Sequence, residues 1–301
     1  MTDTRMPRKG LLVAGLLILL TVGWALLRVF VVHGGDALEI AFLSVGQGDC
    51  AFLRTPSGRT MLIDGGTDGG SDVGYNVIAP FLRRKGVNRI DVLVLSHPHA
   101  DHLSGLVAVV REFRVGMVLD PCIPHPSPLY SEFLQVVKDR GALYRQAVRG
   151  QTLDLGDGAK AEVLNPPSQR LSGTQDDVNN GSVVLRFSSQ GHRILFAGDA
   201  EYDAEMDIMR SGMNVKCDVL KIGHHGGNDA TSADWLDAAR PKIAVISVGR
   251  SNSFGHPQRE VLSRLEARGV RIYRTDHHGA VTVRFVGGAM TVRTTLSRAG
   301  F

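Results

Sequence analysis

The feature that most constrains this chain is a run with the pattern of a buried strand, Asp91-Val-Leu-Val-Leu-Ser96, that passes directly into His97-Pro-His99-Ala-Asp101-His102. The apolar stretch that follows, Leu103 to Glu112, is predicted to be a helix, so four potential metal ligands share one strand-to-helix turn. Alternate residues of an extended turn point the same way. His97 and His99 can therefore grip one ion while Asp101 and His102 face another, which is the geometry of a two-metal site. Imidazole and carboxylate suit Zn²⁺ and equally Mn²⁺ or Fe²⁺, and no nearby thiolate selects among them.

Apolar β-rich runs at 38–43, 50–54, 60–63, 91–95, 182–187, 193–197, 218–222 and 242–247 predict strands. Stretches at 75–85, 103–112, 129–140, 200–210 and 257–268 predict helices, the last with Pro257 in its first turn. Strands and helices mix throughout, which points to a layered α/β domain spanning 38–296. The hydrophobic content of 43% supplies its core. Pro121 to Pro128 and Pro166 to Asn180 are expected to be loops. The three cysteines, Cys50, Cys122 and Cys217, form no C-x-x-C pair, which excludes a dense disulfide framework and a thiolate zinc knuckle. A net charge of +4 without any long Lys/Arg run permits a polyanionic substrate without requiring one.

The beginning of the chain obeys different rules. Arg5, Arg8 and Lys9 precede Leu11 to Val32, whose only charge is Arg28 near the far end. As a helix this run is roughly 33 Å long, about one hydrocarbon core. Residues 1–10 are thus expected to be a cytoplasmic tail and 11–33 a membrane anchor, with the rest outside the cytoplasmic membrane. The alternative is a signal segment cleaved near Gly35-Asp36-Ala37, which leaves a secreted protein.

H-x-H-x-D-H resembles the signature of the metallo-β-lactamase superfamily, and further elements follow in that family's order. Ile63-Asp64-Gly65-Gly66 is similar to its first motif, Phe196-Ala-Gly-Asp199 to its bridging aspartate and Lys221-Ile-Gly-His224-His225-Gly226 to its last ligand motif. Val45-Gly-Gln-Gly-Asp49, Asn179-Asn180-Gly-Ser182, His256-Pro257 and Thr275-Asp276 with Gly279 narrow the resemblance to the soluble domain of the ComEC family of DNA-uptake channels. The resemblance implies an αββα sandwich, two mixed sheets flanked by helices, preceded by one transmembrane helix. One hydrophobic segment cannot form a pore. The chain is therefore not expected to import DNA by itself and would work beside a separate channel protein.

The resemblance also implies roles. His97 and His99 would hold the first of two divalent ions (Zn or Mn), Asp101, His102 and His225 the second, and Asp199 both. Asp64 would orient the histidine loop through hydrogen bonds. The histidine that usually completes the first site is missing, and Asn179-Asn180 occupy its place, with Asn180 as a weak ligand. Asp101, His224 and His256 are the candidate catalytic groups. Spacing leaves open which of His224 and His225 is the ligand. The implied activity is metal-dependent phosphodiester hydrolysis by an activated hydroxide, with DNA as the substrate of a nuclease. Two alternatives stand: a phosphorylcholine-esterase-like hydrolase of smaller diesters, and a non-catalytic module that holds DNA.

Overall fold

Strands that are apolar on both faces have to be covered on both faces. In Thr60–Ile63, Met61 and Ile63 join one buried cluster while Leu62 joins another; in Ile243–Ile246, Ile243 and Val245 split from Ala244 and Ile246 in the same way. Two sheets between two helical layers satisfy this pattern, and the computed structural model, which describes residues 17–24, 37–69 and 72–296, has that architecture.

The first sheet begins with β1 (Leu38–Phe42), β2 (Ala51–Arg54), β3 (Thr60–Ile63), β4 (Arg89–Val94), β5 (Arg114–Asp120) and β6 (Leu143–Gln146). The chain then crosses to the second sheet for β7 (Thr152–Asp154), β8 (Lys160–Asn165), β9 (Val184–Ser189), β10 (His192–Phe196), β11 (Val219–Lys221), β12 (Ile243–Ile246) and β13 (Arg271–Arg274). Finally β14 (Val281–Val286) and β15 (Ala289–Thr294) return to the first sheet, where β14 runs antiparallel to β1. The orders are β15-β14-β1-β2-β3-β4-β5-β6 and β13-β12-β11-β10-β9-β8-β7. Strands β3 to β6 are mutually parallel, as are β10 to β13.

One core lies between the sheets and includes Phe42, Met61, Val94, Phe187, Phe196, Val245 and Phe285. The outer face of the first sheet is covered by Leu82, Leu106, Val110 and Phe133, from the helices Ala79–Arg84, Leu106–Glu112 and Pro128–Asp139. Ile208, Trp235 and Leu265, from Tyr202–Arg210, Ala233–Ala239 and Arg259–Glu266, cover the second.

Two expectations change. Pro257 lies before its helix, which starts at Arg259 with Gln258 as N-cap. The segment expected as a loop up to Asn180 closes in a helical turn, Asp177–Asn180, because the Asp176 side chain caps the N–H groups of Val178 and Asn179. Among the described residues no helix is long and apolar enough to cross a membrane. Of the expected anchor 11–33, only 17–24 are described, and they are helical and exposed; the tail 1–10 lies outside the described residues. Met1–Asp36 and Ala37–Phe301 are distinct units.

Candidate metal centre

The carboxyl ends of the parallel strands of both sheets supply the candidate ligands. β4 leads to His97, and His99 caps the short helix Ala100–Leu103 that carries Asp101 and His102. β3 ends at Asp64, β10 leads to Asp199 and β11 to His225. Asp64, His224 and His225 adopt φ of 56°, 45° and 51°. Non-glycine residues enter this left-handed region at a cost of about 1–3 kcal/mol each, and such outliers gather at functional sites.

Hydrogen bonds fix how each imidazole faces. His102 Nδ1 donates to Asp64 Oδ2 at 3.0 Å, while Asp64 Oδ1 accepts from the Ser96 N–H at 2.7 Å. His225 Nδ1 donates to the Ser247 carbonyl at 3.0 Å. Both arrangements leave an Nε2 lone pair facing inward. There, His102 Nε2 lies 3.1 Å from Asp199 Oδ2, and His225 Nε2 lies 3.1 Å from Asp101 Oδ2 and 3.4 Å from Asp199 Oδ2. His97 Nε2 lies 3.1 Å from His99 Nδ1 and 3.9 Å from Asp199 Oδ2. Two ligand atoms about 2.1 Å from one ion and tetrahedral to it stand about 3.4 Å apart. The observed separations bracket that value.

The donor set fits divalent ions in a second respect. His102 Nε2 and Asp199 Oδ1 are buried yet make no hydrogen bond, and buried polar atoms left so call for a partner of another kind. Asp101, His102, Asp199 and His225 can surround one ion, and His97, His99 and Asp101 a second place beside it. Burial pushes the Asp199 carboxyl up, but the imidazoles of His102 and His225 outweigh it and hold the group well below the usual carboxylate range. Beneath the cluster, buried Lys221 pairs with Asp49 and donates to the Gly198 carbonyl at 3.2 Å. Burial alone would lower the Lys221 ammonium; Asp49 and then Asp199 raise it above its ordinary value. The cluster opens into a cavity of about 510 Å³, whose lining includes His99, Asp101, Asn179, Asp199, Glu201, His224, Asp229, Phe254 and His256.

A family model described as the metallo-beta-lactamase superfamily matches residues 43–250. The chain belongs to the metallo-beta-lactamase superfamily. Within that superfamily it is similar to ComE operon protein 3 of Bacillus subtilis, at 30% identity over 260 residues, 82% of this chain and 33% of that protein. It is also similar to the competence protein ComA of Neisseria gonorrhoeae, at 33% identity over 281 residues, 89% of this chain and 37% of that one. The likeness to competence proteins expected from the sequence is thus borne out, and the chain spans about a third of the length of these relatives. CmlA of Streptomyces venezuelae, a diiron β-hydroxylase, has the same fold, with a TM-score of 0.54 at 18% identity over 83% of this chain and 54% of that one. Membership in the metallo-beta-lactamase superfamily, together with the two ligand clusters, supports a metal-dependent hydrolase that uses divalent ions; it does not choose the metal.

Against this superfamily pattern, the expected histidine and aspartate ligands come together, and the open choice between the two adjacent histidines closes. His225 is buried in the cluster, whereas His224 lines the cavity and its Nδ1 meets Asp229 Oδ1 at 2.9 Å. Asn180 is a correction. Its amide donates to Thr174 Oγ1, to the Asp176 carbonyl and to Glu201 Oε2, and its oxygen accepts from the Ala204 N–H. Engaged in tying two helices together, it is not part of the cavity lining. Its neighbour Asn179 lines the cavity, donates to Glu201 Oε1 and keeps a buried, unpartnered Oδ1. His256 also lines the cavity, but ahead of its helix rather than at the helix start, so helix amides do not assist it.

Sequence reasoning assigned no role to Asp49, Glu201, Asp229 or Phe254. For Asp49 a signal existed in the glycines of Gly46-Gln47-Gly48. A Cβ at Gly48 would stand 2.4 Å from the carbonyl oxygens of Asp101 and Gly66. Only glycine lets this segment pass against the histidine loop, where the Asp49 N–H donates to the Asp101 carbonyl.

Proposed function

We propose that the chain is a phosphodiesterase that cleaves DNA. What carries this reading is a pair of adjoining ligand clusters that share Asp101 and open into one cavity, in a chain similar to competence proteins over most of its length. His97, His99 and Asp101 would hold one divalent ion and Asp101, His102, His225 and Asp199 the other, with Asp199 Oδ2 also 3.9 Å from His97 Nε2 and so within reach of both. When bound, such a pair supplies nucleophile activation and charge neutralisation for in-line attack on phosphorus. His224, held on one nitrogen by Asp229, lines the cavity, where it can give a proton to the departing oxygen. His256, its ring 5.5 Å from that of His224, completes the wall on that side.

One observation favours the smaller-diester reading. The cavity is lined by Asp68, Asp101, Asp176, Asp199, Glu201 and Asp229 and, among the described residues, by no Lys or Arg. A quaternary-ammonium substrate suits such walls. A DNA strand has to rely on the ions and on uncharged contacts, with little gain there from counterion release. The test is to incubate the metal-loaded chain with single-stranded DNA, duplex DNA, RNA and a phosphorylcholine ester. Cleavage of DNA supports the nuclease. Turnover of the choline ester alone overturns it.

We further propose that residues 11–33 anchor the chain in the cytoplasmic membrane with the hydrolase outside, a reading that rests on the positive residues before the apolar run. Digestion of the C-terminus by protease added to spheroplasts is the expected result; full protection overturns it.

A further inference from the structure

Phe254 is a large apolar side chain left 55% exposed, and it stands at the mouth of the cavity. Its exposure does not come from a loose loop. Asn252 Nδ2 donates to the carbonyls of Gly249 and His256, and Asn252 Oδ1 accepts from the His256 N–H. These three bonds pin the turn that carries the ring. The ring of Phe254 is stacked with that of His256, with centroids 5.7 Å apart and planes 27° from parallel. His256 in turn lies 6.4 Å from His225 at 26°. A row of three rings, each tilted by less than 30° to the next, therefore leads from the candidate metal cluster to the exposed Phe254. Among the described residues, Phe254 is the only Phe, Tyr or Trp in the lining.

We infer that Phe254, backed by His256, is a stacking platform for one nucleobase of a single strand whose neighbouring phosphodiester reaches the metal cluster. The inference rests on the nuclease reading and names its substrate form. Every base has a π-face, so a lone aromatic ring gives sequence-tolerant affinity where cationic side chains are missing. Bases within a duplex are already stacked on both faces, so the platform selects single strands and frayed ends. Aromatic stacking of one base strengthens binding roughly 5- to 150-fold.

The experiment uses the whole chain with two strands of equal length, an oligodeoxynucleotide and an abasic deoxyribose-phosphate chain. Binding is read by anisotropy on the chain loaded with Ca²⁺, and cleavage is read after exchange into Mn²⁺. The unaltered protein should prefer the base-bearing strand by a factor within that range. The preference should collapse toward one in Phe254→Ala and persist in Phe254→Trp, whose indole fluorescence is quenched by the bound strand. If Phe254→Ala keeps the full preference while DNA is still cleaved, the platform is wrong and the nuclease stands. If neither strand is bound or cleaved, and a phosphorylcholine ester is hydrolysed with a KM that rises in Phe254→Ala, both readings fall and the ring serves a quaternary ammonium instead.

Discussion

Replacing Asp64 with Asn changes one atom of a buried side chain and should disarm a ligand that Asp64 does not itself replace. Asp64 is 1% exposed; one of its oxygens accepts from the Ser96 N–H and the other from His102 Nδ1. In Asp64→Asn the amide oxygen can keep the bond to Ser96, which turns the NH₂ group toward His102. His102 Nδ1 then has to accept, its proton moves to Nε2, and the lone pair that faces Asp199 is lost. The backbone adds no penalty, because Asn tolerates φ near 56° as well as Asp does. Changing the partner that orients a ligating imidazole weakens metal binding about 10- to 100-fold, or about 1.4–2.7 kcal/mol. Calorimetric titration of the stripped protein with Zn²⁺ and Mn²⁺ should show that loss at one of two sites, with the unfolding temperature of the stripped protein little changed. Undiminished affinity at both sites would refute the tautomer argument.

Other outcomes follow from the same network. Lys221→Met leaves Asp49 buried without its cation and should cost ~3–5 kcal/mol in denaturant unfolding, most of it recovered when Asp49→Asn is added; equal destabilisation in the single and double variants contradicts this. Burial pushes the Glu205 carboxyl up to about 7, against the opposing N–H bonds of Thr231 and Ser232. Because this folded value lies above the ordinary 4.5, the stability tied to Glu205 is complete below pH 4.5 and declines by on the order of 3 kcal/mol as pH rises through 7. Glu205→Gln should flatten that slope in thermal melts, and an unchanged slope speaks against it. Asn179→His should shift metal preference toward Zn²⁺ in competition binding, since imidazole suits Zn²⁺ better than an amide oxygen, whereas Asn180→His should mainly lower stability; the reverse pattern would return the ligand role to Asn180.

The parts legible in the sequence were those in which one short segment carries its own chemistry. His97 to His102 needs only strand and turn geometry to bring its ligands together, and the central strands β3, β4, β10, β11 and β12 each carry an apolar run. What escaped depends on contacts across the chain. Arg114–Asp120 contains Gly116 and is only half buried along much of its length, so nothing in its pattern announces a strand until β4 pairs with it. The edge strand Leu143–Gln146 is exposed throughout, and Ala289–Thr294 alternates only between exposed and half-buried positions. Whether Asn179 or Asn180 faces the cavity is decided by the Asp176 cap and by Glu201, which comes from another element. The choice between His224 and His225 rests on two consecutive left-handed residues, a conformation that residue type does not reveal. For Phe254, only the folded cavity shows that the ring borders the candidate metal cluster.

The account stands or falls on Asp199 as a carboxylate shared by two ions. Elemental analysis of the whole chain and of Asp199→Ala, each loaded with Mn²⁺ or Zn²⁺ and dialysed, tests this most directly. The shared carboxylate predicts about two ions per unaltered chain and loss of both in Asp199→Ala, with circular dichroism unchanged. Retention of either ion in the variant would contradict it.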